Sequence, residues 1–200
     1  FKNQGVSIVK QTVTGLFQKG RRWCVEASDT SKQYCFDKVV LAFGRQTRTW
    51  FPHLNITLQG GSLLRATPKQ QTSIETLSLN GLHIGQHHRG DWVFGSTRWN
   101  TTPPNQELET QMLRSRLKET LPNAPSMTEQ QSIWSGVRTI YGSDRMPLCG
   151  ELPQHRNIFV LTALGSKGWL WGPWTANLLQ QLIQDRTNPV GFDTVNLLRA

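Results

Sequence analysis

The sequence predicts a mixed α/β fold in two parts, a parallel-strand lobe built from both ends of the chain and an antiparallel sheet built from its middle. Three observations predict it. Two short apolar runs, Val39–Phe43 and Ile158–Leu161, have the unbroken pattern of strands buried on both faces. The second run is followed by a glycine turn, Gly165-Ser166-Lys167-Gly168, and then by a helical stripe at Trp174, Leu178 and Leu182. Between the two runs, short alternating segments separated by turn residues read as antiparallel strands. The expected division is residues 1–51 with 137–200 for the lobe and 52–136 for the antiparallel domain. Val39–Phe43 and Ile158–Leu161 must then share one sheet.

Composition bounds the chain before any motif does. At 200 residues and 36% hydrophobic content it is long and apolar enough for a real core. It has no run of about 18 apolar residues to cross a membrane. The net charge of +9 is scattered, with local clusters only at Lys19-Gly20-Arg21-Arg22 and at Arg114, Arg116 and Lys118. This favours a solvated basic surface that steers anionic partners over a dedicated nucleic-acid groove. The three cysteines, Cys24, Cys35 and Cys149, lack metal-site spacing and an even count, which suits a reducing, cytoplasmic compartment. Cys24 and Cys35 can face each other across a hairpin, but a packing role is favoured.

In chain order, Gly5–Val9 reads as a short strand. Thr12–Phe17 and Arg22–Ala27 read as a hairpin turning at Lys19-Gly20, and Gln33–Phe36 as a third strand of the same meander. Lys38–Gly44 ends a buried strand in glycine, the place where a parallel sheet meets a ligand, and these first 45 residues look like the second half of a nucleotide-binding sheet. Ser62–Ala66, Gly81–His87 and Trp92–Ser96 read as strands, the last two joined through Arg89-Gly90-Asp91. A helix starts at Pro104, carries Glu107 and Glu109 in its first turn and the stripe Leu113, Leu117, Leu121, and stops before Pro122. His83, His87 and His88 splay on a strand and hairpin, so no metal site is expected. The last helix is expected to begin with Pro173 at its first position and to stop before Asn188-Pro189. A strand, a glycine turn and a helix start together can bind an anion through unpaired N–H groups.

The run Gly136-Val137-Arg138 to Asp144-Arg145-Met146-Pro147-Leu148-Cys149-Gly150 resembles, with five residues in place of four between Arg138 and Asp144, the G-x-R-x-x-x-x-D-x-x-P-x-x-G segment of the D-amino acid oxidase and glycine oxidase superfamily of FAD-dependent enzymes. Phe36–Gly44 resembles that family's strand and glycine beside the adenosine half of FAD. Trp92–Thr97 resembles its substrate-domain hairpin, and Ala163–Pro173 its flavin-wrapping loop. The Ala-Leu-Gly-Ser-Lys-Gly form of that loop is similar to the oxidase domain of the bifunctional tRNA wobble-uridine modifying enzyme. Four motifs in the family's order cover nearly the whole chain.

The resemblance implies an FAD-binding Rossmann-like lobe, incomplete here, beside a substrate-binding sheet. It implies FAD contacts from Val13, Gly44, Gly165, Ser166, Lys167, Gly168, Trp169 and Leu170, and a substrate-carboxylate contact from Arg138. The implied reaction moves hydride from the carbon bearing an amine to the flavin, and the imine then hydrolyses. Substrates implied are a small amine or amino acid, or an aminated tRNA base. The chain departs from the family in three respects: it has no G-x-G-x-x-G with an acidic residue about 20 positions on, Thr139 replaces a common Pro, and Trp169, Trp171 and Trp174 crowd the loop. An N-terminal βαβ unit is therefore expected upstream of Phe1, and the chain alone is expected to be inactive. The other reading is a non-catalytic binding module or partner subunit that keeps the fold, associated with RNA through its charge.

Overall fold

The computed structural model describes residues 5–28, 33–70, 72, 74, 76–87, 90–95, 97–100 and 104–185. The elements run β1 (Val13–Lys19), β2 (Arg22–Ala27), β3 (Tyr34–Phe36), β4 (Val39–Leu41), α1 (Thr47–Trp50) and β5 (Thr57–Pro68). There follow β6 (Leu77–Leu79), β7 (Leu82–Gln86), β8 (Trp92–Gly95), α2 (Gln106–Thr120) and β9 (Met127–Ile140). The chain continues through β10 (Leu148–Glu151), β11 (Ile158–Thr162) and α3 (Gly168–Asp185). No helix among the described residues is long and apolar enough to cross a membrane.

The chain forms two compact units. One draws on Phe1–Phe43, Pro147–Thr162 and Trp169–Ala200. In it β11 lies between β10, antiparallel, and β4, parallel, with Ile158, Phe159 and Val160 opposite Val39, Val40 and Leu41. The two apolar runs thus share a sheet, and Ile158, Phe159 and Val160 are wholly buried because both faces of a central strand are covered. The meander β1-β2-β3 makes a second sheet, turning at Gly20 with φ 64°. The Trp23 indole of β2 donates to the Arg156 carbonyl at 2.8 Å and so ties the meander to the β10–β11 connection. In α3, Leu178 is buried, with Trp174 and Leu182 half-buried at the expected helical spacing.

The other unit draws on Gly44–Met146 and Ala163–Gly168. Its five-stranded sheet has the order β6-β7-β8-β5-β9, every pair antiparallel. Leu64 and Ala66 of β5, Leu82 and Ile84 of β7, and Trp92 and Phe94 of β8 pack one face of this sheet against Leu113 and Leu117 of α2. At about 25 cal/mol per Å2 this apolar burial is what holds the unit together. Asn105 caps α2, its side chain accepting the Glu107 amide at 2.8 Å.

Several expectations need correction. Gly5–Val9 is not a strand: residues 6–10 pair with no strand among the described residues, and Val6, Ile8 and Val9 are exposed, because alternation alone cannot hold a strand that has no partner. The helix expected from Pro173 begins at Gly168, so Pro173 lies inside it, where it forfeits one backbone hydrogen bond. β5 is 12 residues long and β9 is 14, the latter taking in Val137–Ile140, which the sequence grouped with the lobe. Their shared ladder from Thr57–Ile140 to Pro68–Met127 is what extends both. β6 went unrecognised although Asn80-Gly81, at φ 49° and 74°, is a hairpin signal. Cys24 and Cys35 are not merely packed but joined in a disulfide, since they sit directly opposite in the β2–β3 register. That bond also counts against the cysteine argument for a reducing compartment. Cys149 is free and buried. His88, Arg89, Ser96 and Asn188-Pro189 lie outside the described residues.

Candidate functional site

Arg138, Gly165 and Gly44, all singled out from the sequence, lie on or against β9. Arg138 lies near the end of that strand, paired with Gln59 of β5. Its neighbour Thr139 is buried and holds the turn after β11 at two points: the Ala163 amide donates to the Thr139 hydroxyl at 3.2 Å, and the Gly165 amide donates to the Thr139 carbonyl at 3.1 Å. A 3-10 turn at Gly44–Gln46 also packs against β9.

Gly44 and Gly165 have φ of 53° and 58°, and no atom lies within 4 Å of where a β-carbon would stand on either. Their backbones are therefore open to a ligand, and a side chain would be strained there. Ser166 and Lys167 complete the turn, with the Lys167 amide bonded to the Leu164 carbonyl at 3.3 Å. Gly168, Trp169 and Leu170 form the first turn of α3, where amides have no helical acceptor, and Trp169 and Leu170 are exposed at 98% and 66%. Open glycine backbones, and separately the unpaired first-turn amides of a helix, are groups that can approach an anionic ligand closely. Val13 begins β1 in the other unit and is exposed.

Arg138 is half-buried, and its guanidinium makes no hydrogen bond or ion pair among the described residues. Burial first, then the charges of Arg98 and Arg145, hold its guanidinium pKa below the ordinary value. It stays protonated, and an anion would relieve both effects. Thr139, Arg98 and Arg145 were not singled out from the sequence. Arg98 and Arg145 are brought to Arg138 by strand register and a turn, which leave no periodic trace. Thr139 was seen only as a departure from Pro.

Among the described residues, no group of three or more His, Cys, Asp or Glu is arranged to hold a metal. An open groove of about 590 Å3 between α2 and β9, lined by Glu107, Gln111, Arg114, Gln131 and Ile133 among others, contains none of the expected site residues.

The fold is similar to those of several solved oxidases and of a dehydrogenase. Glycine oxidase from Geobacillus kaustophilus matches with a TM-score of 0.76 at 19% identity, over 95% of this chain and 52% of that one. Iminodiacetate oxidase from Chelativorans sp. BNC1 gives 0.74 at 17% identity, over 98% and 55%. L-proline dehydrogenase from P. horikoshii gives 0.79 at 13% identity, over 99% and 56%. The chain thus spans about half the length of these structures. No curated protein matches it. The family model for FAD dependent oxidoreductases (DAO) matches residues 1–182, nearly the whole chain. On that ground this chain belongs to the DAO family of FAD-dependent oxidoreductases, within the D-amino acid oxidase and glycine oxidase superfamily.

Proposed function

We propose that the protein to which this chain belongs oxidises the C–N bond of an amine or amino acid, and that this chain supplies the substrate clamp and part of the FAD contact surface. FAD, when bound, accepts the hydride from the carbon bearing the amine, and the resulting imine hydrolyses in water. Arg138 holds the substrate carboxylate in a planar two-bond fork, which fixes the position of the carbon to be oxidised. Backbone groups of Gly44 and of Gly165, Ser166, Lys167 and Gly168 approach the cofactor, with Val13, Trp169 and Leu170 beside it. The first turn of α3 favours negative charge at that position. The substrate is a small amine or amino acid, or an aminated base in a tRNA.

One observation carries the reading. The half-buried, unpartnered guanidinium of Arg138 is adjacent in sequence to Thr139, which holds the open Gly165 turn. A carboxylate clamp beside a cofactor turn on one strand end supports a reaction in which an amino acid is held against the cofactor.

The test uses the intact protein with its flavin and a matched pair of substrates, an amino acid and its decarboxylated amine. Arg138→Lys is expected to lower kcat/KM for the amino acid by about 2 to 5 kcal/mol in transition-state terms, with flavin content unchanged and the amine affected much less. Equal losses on both substrates would assign Arg138 a structural role. Intact protein that binds no flavin would instead favour a non-catalytic binding module.

A further inference from the structure

Arg98 reaches the Arg138 side of the sheet because of register. The Gly60 amide donates to the Trp99 carbonyl at 2.7 Å and the Trp99 amide donates back at 3.2 Å, setting Trp99 opposite Gly60. The Thr97 amide donates to the Ser62 carbonyl at 3.4 Å, and the Ser62 amide donates to the Thr97 hydroxyl at 3.2 Å. Arg98 between them therefore stands opposite Gly61, and Gly61 is in turn opposite Gly136 of β9.

Residues directly opposed in a sheet project from the same face, and so do residues two apart on a strand. Arg98, Gly61, Gly136 and Arg138 accordingly share one face. It is the reverse of the face on which Leu64, with Ile133 opposite it, packs toward α2. Two strand spacings, about 10 Å, separate Arg98 from Gly136. The two residues between them and Arg138 are glycines without side chains. The Trp134 indole covers Gly136, where a β-carbon would collide with it.

Arg145 comes from the turn that follows β9. Its backbone is left-handed at φ 55°, an unfavourable conformation for a residue with a side chain, in a turn where the Asp144 carboxylate accepts the Met146 amide at 3.0 Å. Arg98 and Arg145 are exposed, and neither makes a hydrogen bond or ion pair among the described residues. Arg65, on the same face, is by contrast paired with Asp91. Arg98 and Arg145 both act electrostatically on Arg138, and none of the three guanidiniums is in an ion pair among the described residues, which leaves a charge that one substrate carboxylate at Arg138 would only partly balance.

We infer that Arg98 and Arg145 form a second anion position beside Arg138, and that the substrate carries a second acidic group, a carboxylate or a phosphate, in addition to the carboxylate held by Arg138. The inference rests on the proposed role of Arg138 and adds the substrate class.

The test is calorimetric titration of the intact protein at fixed ionic strength with three probes that cannot be oxidised: butyrate, succinate and 3-phosphonopropionate. At least one diacid should bind about tenfold or more tightly than butyrate. Which diacid gains decides between a second carboxylate and a phosphate. Arg98→Met and Arg145→Met should each remove most of that advantage while weakening butyrate far less, whereas Arg138→Lys weakens all three. Both arginines are exposed, so these variants should fold, and an unchanged melting temperature checks it. Equal binding of butyrate and both diacids overturns the inference, as does an advantage that survives both Met variants. So does a protein that binds none of the probes but binds tRNA through Arg98. If the intact protein discriminates the diacids in the expected way yet oxidises no amine, the second anion position stands and the proposed reaction fails. If it oxidises amino acids while binding mono- and diacids alike, the reverse holds.

Discussion

The hydroxyl of Thr139 accepts the amide of Ala163 at 3.2 Å, joining the end of β9 to the residue after β11 across 24 positions of sequence. Ala163 is buried and left-handed at φ 58°, so the turn leading to Gly165 is held in a conformation it would not choose in isolation. Thr139→Val keeps the shape of the side chain and removes the acceptor. It should destabilise the chain by about 1 to 3 kcal/mol, the cost of a buried amide left without a partner. Amide hydrogen exchange gives the sharper check: protection should fall at Ala163 and persist at Gly165, whose amide bonds the Thr139 backbone carbonyl.

Glu109 of α2 is buried, and its carboxylate accepts the Thr97 hydroxyl at 2.6 Å. Since the same hydroxyl accepts the Ser62 amide, Glu109 helps fix the segment that carries Arg98. Glu109→Ala should cost about 2 to 4 kcal/mol through the cavity and the orphaned hydroxyl. Glu109→Gln, which retains an acceptor, should cost about 1 kcal/mol. Thermal unfolding of these two variants, and of Glu109→Ala combined with Thr97→Val, should show losses that do not add.

Acid stability should depend on Asp91. Its carboxylate accepts the Thr67 hydroxyl at 2.7 Å and the Arg65 Nε–H at 2.8 Å, and these bonds, Thr67 first, hold its pKa below the ordinary value. A depressed folded-state pKa means that the contribution is fully present above the unfolded value of about 3.9 and is lost as pH falls through the folded value. Asp91→Asn should therefore be less stable than the parent at neutral pH, with the difference closing in acid. Urea midpoints measured from pH 7 down to pH 2.5 test this, and a gap that stays constant with pH would count against it.

Thiol counts check the pairing of Cys24 with Cys35. Unfolded, unreduced protein should titrate a single thiol, that of Cys149, and all three after reduction. Reduction should lower stability by about 3 kcal/mol, from the entropy of the opened loop. Three thiols before reduction would refute the bond.

The sequence by itself determined the local elements whose signals are local. The runs Val39–Leu41 and Ile158–Val160, the Gly20 turn, α2 with its Leu113–Leu117 stripe, and the glycine turn at Gly165 were legible because periodicity, β-branching and glycine each act within a few residues. Motif order identified the family for the same reason, and with it Arg138 and the Gly165–Leu170 segment as candidates.

Only the tertiary structure decided the rest. The length of β9, the disulfide, the start of α3 at Gly168 and the meeting of Arg98 with Arg138 follow from which strand lies beside which. Gly5–Val9 has the alternation of a strand and forms none, while Trp134–Ile140 was read as a motif and extends a 14-residue strand. The physical reason is that a strand is stabilised by the hydrogen bonds of a neighbour distant in sequence. The side chains that such a neighbour brings within reach of Arg138 leave no mark on the residues beside it in the chain.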